Sequence, residues 1–335
     1  MVRLAPHILF SATLVSSVLA RAKYTFKPEK STVYQDYDDP TGTSWWVSSY
    51  ITSEEGKQYL ALSHVMTPWH DLCRSSVLDL DALKYWVHLE YCERVGNKLS
   101  DSSVPLDADF DTYGFRALAD DNVSKMNAWV TTNASFSFDL TWEATSKIVF
   151  NGGSGIIPFG PKPRNATEWG VPAAKTTGTL TLDGKTVAVD TKNSFSWYDR
   201  QLSYGSPQNW TWFQLNFPGT DIKASVWAYD STEPSKDTAN FVTIRRDTGN
   251  TVMGYTLTPD ASNVWTSPKS GIVYPLAWKL NFENGDHLVV KSIRDDQEMY
   301  GPMTNSDSAY EGFITVTGSF LGQKRGFGLV EMVRI

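Results

Sequence analysis

The sequence predicts an all-β protein. Short runs of alternating apolar and polar residues recur along its length, tight-turn pairs separate them, and convincing amphipathic helices are scarce. The aromatic content agrees: 13 Trp, 15 Tyr and 16 Phe in 335 residues suit a pleated surface, on which flat rings pack well. An apolar fraction of 41% excludes a disordered chain. Evenly spaced short strands of this kind indicate barrels or sandwiches.

Residues 1–20 read as a secretory signal peptide. Arg3 supplies the positive start, residues 7–19 are mostly apolar, and Val18-Leu19-Ala20 forms a small-residue cleavage site. That apolar run is shorter than the roughly 20 residues a membrane helix needs, and no later stretch is longer. The chain is therefore expected to be secreted or lumenal, with no membrane span. Strands are expected at 45–51, 59–66, 85–91, 135–142, 179–189, 211–217 and 222–229, then at 241–246, 252–257, 276–282, 288–293, 310–320 and 327–334. Turn pairs separate them at Glu55-Gly56, Asp183-Gly184, Gly249-Asn250 and Asn284-Gly285. The Gly- and Pro-rich stretch 151–174 reads as a loop, and 230–237 as a second polar break. The length exceeds what one core usually serves, so two domains are expected, 21–200 and 201–335.

The formal charge of −7 leaves no basic stripe, so nucleic acid is not an expected partner. No Gly-rich phosphate loop opens a helix, which removes support for a nucleotide site. Cys73 and Cys92 are the only cysteines, and an oxidising compartment favours their joining. Four glycosylation sequons, at Asn122, Asn133, Asn165 and Asn209, fit the same compartment. His70 and His88 lie near the cysteines without zinc-finger spacing, and His64 and His287 stand in other segments. No metal is expected.

Alternation also says which polar groups share an apolar strand face. His64 lies with Leu60, Leu62 and Met66; Asp199 and Gln201 lie with Phe195 and Trp197; Glu331 lies with Phe327, Leu329 and Val333. A titratable group so placed must be hydrogen-bonded, paired or neutralised. Most such residues are core polars, but three on separate strands of an aromatic-rich protein suggest one shared cavity. The densest stretch, 195–217, sets Asp199, Arg200 and Gln201 beside Trp197 and Tyr198, followed by Trp210 and Trp212. An Asp there offers acid–base chemistry, an Arg offers a hold on an oxygen, and ring faces suit cationic or planar groups. An Asp199–Arg200 pair that merely locks the strand is the plainer reading. No G-x-S-x-G nucleophile turn is present, and a glycosidase remains the rival enzyme class.

The run Trp197-Tyr198-Asp199-Arg200-Gln201 with Asn209-Trp210-Thr211-Trp212-Phe213 resembles the W-x-D-R-Q…N-W-x-W-F signature of the AttH-like, hydroxyneurosporene-synthase-type family. Residues 45–66 look like that family's first hairpin, and Tyr310-Glu311-Gly312 with 326–332 look like its last strands. The resemblance implies two lipocalin-like antiparallel β-barrel domains with a cavity at or between them. Family members include carotenoid hydratases, a secreted kievitone hydratase and fungal cyclases of the Diels–Alder and hetero-Diels–Alder type. The expected activity is a dehydration-linked cyclisation of a hydrophobic polyketide–terpenoid substrate, without a cofactor. Water addition to a prenyl side chain and a non-enzymatic carrier are the alternatives. His64, Asp199, Arg200, Gln201 and Glu331 are the expected catalytic groups, His64 or Asp199 supplying the proton. Trp45, Trp197, Tyr198 and Trp212 are expected to shape the pocket. The sequence leaves the oligomeric state and the substrate open.

Overall fold

A computed structural model describes residues 42–67, 71–95, 105–132, 135–159, 165–203, 205–230, 238–301 and 307–334. The expected signal peptide and the Asn133 sequon lie outside the described residues. Among those described, no helix is long and apolar enough to cross a membrane. The structure is nearly all β.

The first sheet orders its main strands as Tyr85–Tyr91, Leu72–Asp79, Gln58–Thr67, Gly42–Thr52, Phe195–Ser203, Ala166–Leu182, Phe136–Ala144, Lys125–Val130, Tyr113–Ala117 and Asp107–Phe110. It is a half-barrel, open between its first and last strands. The second sheet runs His287–Ser292, Ala277–Phe282, Gly249–Pro259, Thr238–Arg246, Lys223–Asp230, Asn209–Asn216, Gln323–Arg334 and Ala309–Phe320. Pairing of Ala309–Phe320 back onto His287–Ser292 closes it into an eight-stranded barrel. The change of sheet falls between Ser203 and Asn209, because the strand that carries residue 200 continues unbroken to Ser203.

Three cores follow from this arrangement. One fills the half-barrel, with Trp45, Phe115, Trp142, Trp169 and Tyr198 among its members. One fills the closed barrel around Phe213, Val226, Trp278 and Val330. The third lies between the sheets, where Trp46, Leu62 and Trp197 meet Trp212, Trp227 and Leu329. The strands that form this junction are buried on both faces.

The stretch 151–174, expected as a loop, is in part a strand: Ala166–Leu182 is one of the longest in the molecule. Residues 168–172 are all buried, so they show no period-two pattern to read, and a register shift between Val171 and Ala174 accommodates Pro172 in the pairing. The hairpin that follows turns at Asp183-Gly184, both at positive φ, the geometry a tight hairpin turn requires.

Cys73 and Cys92 are joined, with Cα atoms 5.8 Å apart, tying the end of the Tyr85–Tyr91 edge strand to its neighbour. Loop-closure entropy over a separation of 19 residues gives about 3 kcal/mol of stabilisation. Replacing both cysteines by alanine is expected to cost about that much, read as a lower denaturation midpoint with a somewhat steeper slope, because the unfolded chain is freed to expand. The Asn122 sequon is ill placed for a glycan: its side chain is buried and its oxygen accepts the Leu106 N–H. Asn165 is exposed, and Asn209 is half-buried and donates to Asp230.

Candidate active site

Strand register builds the site as three rows. In the first sheet one row crosses five neighbouring strands as Arg74, His64, Trp46, Asp199 and Gly170. The row beside it carries Ser44, Gln201 and Glu168. Directly paired residues point to the same face, so both rows face the second sheet. There the third row runs Glu311, Glu331, Trp212 and Trp227. A cavity opens between the sheets, lined by Ser44, Trp46, His64, Glu168, Asp199, Arg200, Gln201, Trp212, Trp227 and Glu331. Its free volume is about 30 Å³, room for a water or a hydroxyl and little more.

The structure thus brings His64, Asp199, Gln201, Glu331 and Trp212 to one cavity, with Trp197 behind Asp199. It turns Trp45 and Tyr198 away from the cavity and points the Arg200 guanidinium elsewhere. Trp45 and Tyr198 point into the half-barrel core, because each stands one residue from a cavity-facing side chain and neighbours on a strand alternate. Trp46, not Trp45, walls the cavity, 5.1 Å from Trp212 in an edge-to-face contact. Arg200 borders the cavity, yet its guanidinium lies 4.4 Å over the Trp45 ring and donates to Thr43 Oγ1 and to the Ser44 and Gln201 carbonyls. The same alternation turns the Arg200 guanidinium away from Asp199, which accepts the Arg200 backbone N–H at 2.8 Å.

Four carboxyls, Glu168, Asp199, Glu311 and Glu331, are all at most 7% exposed. Arg74 and Arg200 are the buried cations beside them. Full ionisation would leave a net double negative charge in an apolar junction, which is costly. The carboxyls instead sit in two pairs, Glu168 with Asp199 and Glu311 with Glu331. Burial first, then the neighbouring Asp199, raises Glu168 well above the usual carboxylate range. Burial likewise raises Asp199 to about 7, opposed by the Glu168 and Trp197 hydrogen bonds. Burial and then Glu331 raise Glu311 well above its ordinary value against the pull of Arg74. Glu168 Oε2 and Glu311 Oε2 are buried, with no donor to either among the described residues. A proton on Glu168 and another on Glu311 would satisfy both oxygens and leave the cluster neutral.

Three indoles fasten these acids. Trp197 Nε1 donates to Asp199 at 3.1 Å, Trp210 Nε1 to Glu331 at 2.6 Å, and Trp46 Nε1 reaches Glu311 at 3.5 Å. Gly170 is required by close approach: a Cβ there would stand 2.9 Å from the Tyr198 carbonyl, 3.0 Å from Trp197 Nε1 and 3.1 Å from Asp199 Oδ2. Gly170→Ala is expected to displace Asp199 and lower kcat about 10-fold with the fold intact by circular dichroism.

His64, expected as a proton donor, is neutral. Arg74 offers only N–H groups, and its Nε and Nη2 lie 3.1 and 2.8 Å from His64 Nδ1. Nδ1 must therefore be the bare acceptor, and the ring proton sits on Nε2, 2.7 Å from Ser44 Oγ. Burial, then Arg74, lowers the His64 pKa well below its ordinary value. His64, Glu311 and Glu331 also converge closely enough to hold a cation. Arg74 Nη2 already stands there, 3.1 Å from Glu311 and 3.9 Å from Glu331. The donor set is matched to a guanidinium rather than to a metal.

The W-x-D-R-Q…N-W-x-W-F run now has a structural meaning. Its first half ends the last strand of the half-barrel and its second half begins the first strand of the closed barrel, so the motif supplies both walls of one cavity. The AttH-like family model matches residues 74–334. The chain belongs to the AttH-like family. It is 35% identical to kievitone hydratase of Fusarium solani subsp. phaseoli, over 97% of this chain and 98% of that one. It is also 35% identical to dehydratase asqC of Emericella nidulans, over 94% of this chain and 95% of the other. The crystal structure of kievitone hydratase from Nectria haematococca superposes with a TM-score of 0.79 at 34% identity, covering 93% of this chain and 98% of that one. This AttH-like chain is an enzyme rather than a carrier alone.

Glu168, Ser44, Arg74 and Glu311 escaped sequence reasoning. Glu168 lies inside the stretch that reads as a loop. Arg74 lies on Leu72–Asp79, a strand that was not expected. Glu311 was noted only for the family motif, although it stands directly across from Glu331.

Proposed function

We propose that this enzyme adds or removes water at an alkene or tertiary alcohol carbon of a hydrophobic metabolite. The observation that carries the reading is the pair of proton-holding carboxyl couples on opposite walls of a cavity sized for one oxygen. In the dehydrating direction the Glu168–Asp199 couple gives its proton to the hydroxyl. The C–O bond breaks and its electron pair leaves with water. Glu331 takes a proton from the neighbouring carbon, and the freed C–H pair closes the double bond. Hydration is the same path reversed. Trp46, Trp212 and Trp227 line the cavity with aromatic rings, whose electron density stabilises positive charge on the reacting carbon. The names of the 35%-identical relatives, a hydratase and a dehydratase, support both directions. Cyclisation, expected from the sequence as the coupled step, is proposed only as what a released diene does next.

Kievitone in heavy-oxygen water is the direct test. The expected product gains one water carrying the label. Unchanged mass for kievitone and for a panel of prenylated phenols and tertiary alcohols overturns the reading.

A further inference from the structure

The cavity holds one hydroxyl that no acid–base role has used. Ser44 Oγ receives the His64 Nε2–H at 2.7 Å, and among the described residues its own hydrogen has no other acceptor. Ser44 is half-buried and lines the cavity, in the row next to Asp199 and two places from Glu168. Behind it a buried chain runs from Ser44 to His64, Arg74 and Glu311, with contacts of 2.7, 2.8 and 3.1 Å. Each link has a fixed direction. Arg74 donates at both ends, His64 accepts on Nδ1 and donates from Nε2, and Ser44 Oγ accepts with its lone pair. The Ser44 hydrogen is thereby left to donate outward.

We infer that Ser44 is a catalytic hydrogen-bond donor to the oxygen that leaves or arrives as water, aimed by His64, with Arg74 and Glu311 as positioning residues. This rests on the water chemistry proposed above and adds the group that holds its oxygen. No bond to Ser44 forms or breaks. Its hydrogen bond strengthens as the electron pair of the breaking C–O bond collects on the departing oxygen, and the fixed chain behind it requires no reorganisation at that moment. The substrate feature it selects is a hydroxyl on the reacting carbon, which an alkyl group cannot replace without leaving a donor unmatched.

Nitrogen-15 NMR of histidine-labelled protein tests the chain without any assumption about the reaction. His64 is expected as the Nε2–H tautomer, unchanged from pH 5 to pH 8, with Arg74→Lys, which offers a single ammonium in place of the fork, permitting the other tautomer. Adding dimethylvinylcarbinol, a small tertiary allylic alcohol, is expected to shift the Nε2 resonance in the wild type and not in Ser44→Ala. With an authentic substrate, Ser44→Ala is expected to lower kcat about 10²-fold while KM changes little. An Nδ1–H tautomer, an imidazolium within that pH range, an alcohol-induced shift that survives in Ser44→Ala, no shift in the wild type, or full kcat in Ser44→Ala each overturns the inference. Absent water chemistry with an intact tautomer and a Ser44-dependent shift would instead count against the proposed reaction alone.

Discussion

Asp199→Asn is expected to lower kcat by about 10²–10⁴-fold, the usual contribution of a positioned general acid. The amide keeps the shape and one acceptor oxygen, where the carboxyl uses Oδ2 for the Trp197 indole and Oδ1 for the Arg200 backbone N–H, and it cannot hold the proton shared with Glu168. Substrate affinity should survive, so the loss appears in kcat rather than KM. Glu168→Gln is expected to act in the same way, and the double variant to be little worse than either, because the couple titrates as one unit. The wild-type rate should fall on the alkaline side, because burial raises both members of the couple and loss of the proton they share removes the acid. Stability follows the same sign. A carboxyl raised by folding binds its proton more tightly in the native state, so its contribution is complete below about pH 4 and is lost as pH rises through about 7. Asp199→Asn should flatten that slope. Full activity in both single variants would sink the assignment.

Arg74→Met is expected to be the most destabilising single change, by about 3–5 kcal/mol, the cost of breaking a buried ion pair from one side. Its guanidinium is the cation nearest Glu311 and also the donor to His64, and all three are buried. The direction with pH separates this from simple loss of packing. With Arg74 gone, Glu311 can escape the cost by keeping its proton, so the deficit should grow as pH rises. Urea denaturation of wild type and variant at a low and a neutral pH reads the difference directly, and a deficit independent of pH would refute the electrostatic account. Arg74→Lys should restore part of the stability, because it returns the charge without the two-pronged donor geometry.

Residue spacing carried a great deal about this site. His64, Asp199, Gln201 and Glu331 each share a strand face with apolar neighbours, and that alone placed them where a charge is expensive and a partner necessary. They do meet in one cavity. Facing could not say which buried side of a strand is which. Gly42–Thr52 and Phe195–Ser203 are covered on both sides, one by the half-barrel core and one by the closed barrel, so Trp45 and Trp46 look equally interior in the sequence. Only the packing of the two sheets assigns Trp46 to the cavity and Trp45, Tyr198 and the Arg200 guanidinium away from it.

Local chemistry within a few residues was enough to specify the all-β class, most of the strands, the turn pairs, the candidate disulfide and the face on which the acids stand. Tertiary structure alone decided the partners. Glu168 joins Asp199 through the register of Ala166–Leu182 against Phe195–Ser203, and Glu311 joins Glu331 through that of the last two strands. Arg74 fixes the His64 tautomer because their strands pair with those residues opposite. A one-residue slip in any of these registers would send the side chain to the other face. The protonation of the site is set by such neighbours and by burial, neither of which is a property of one stretch of chain.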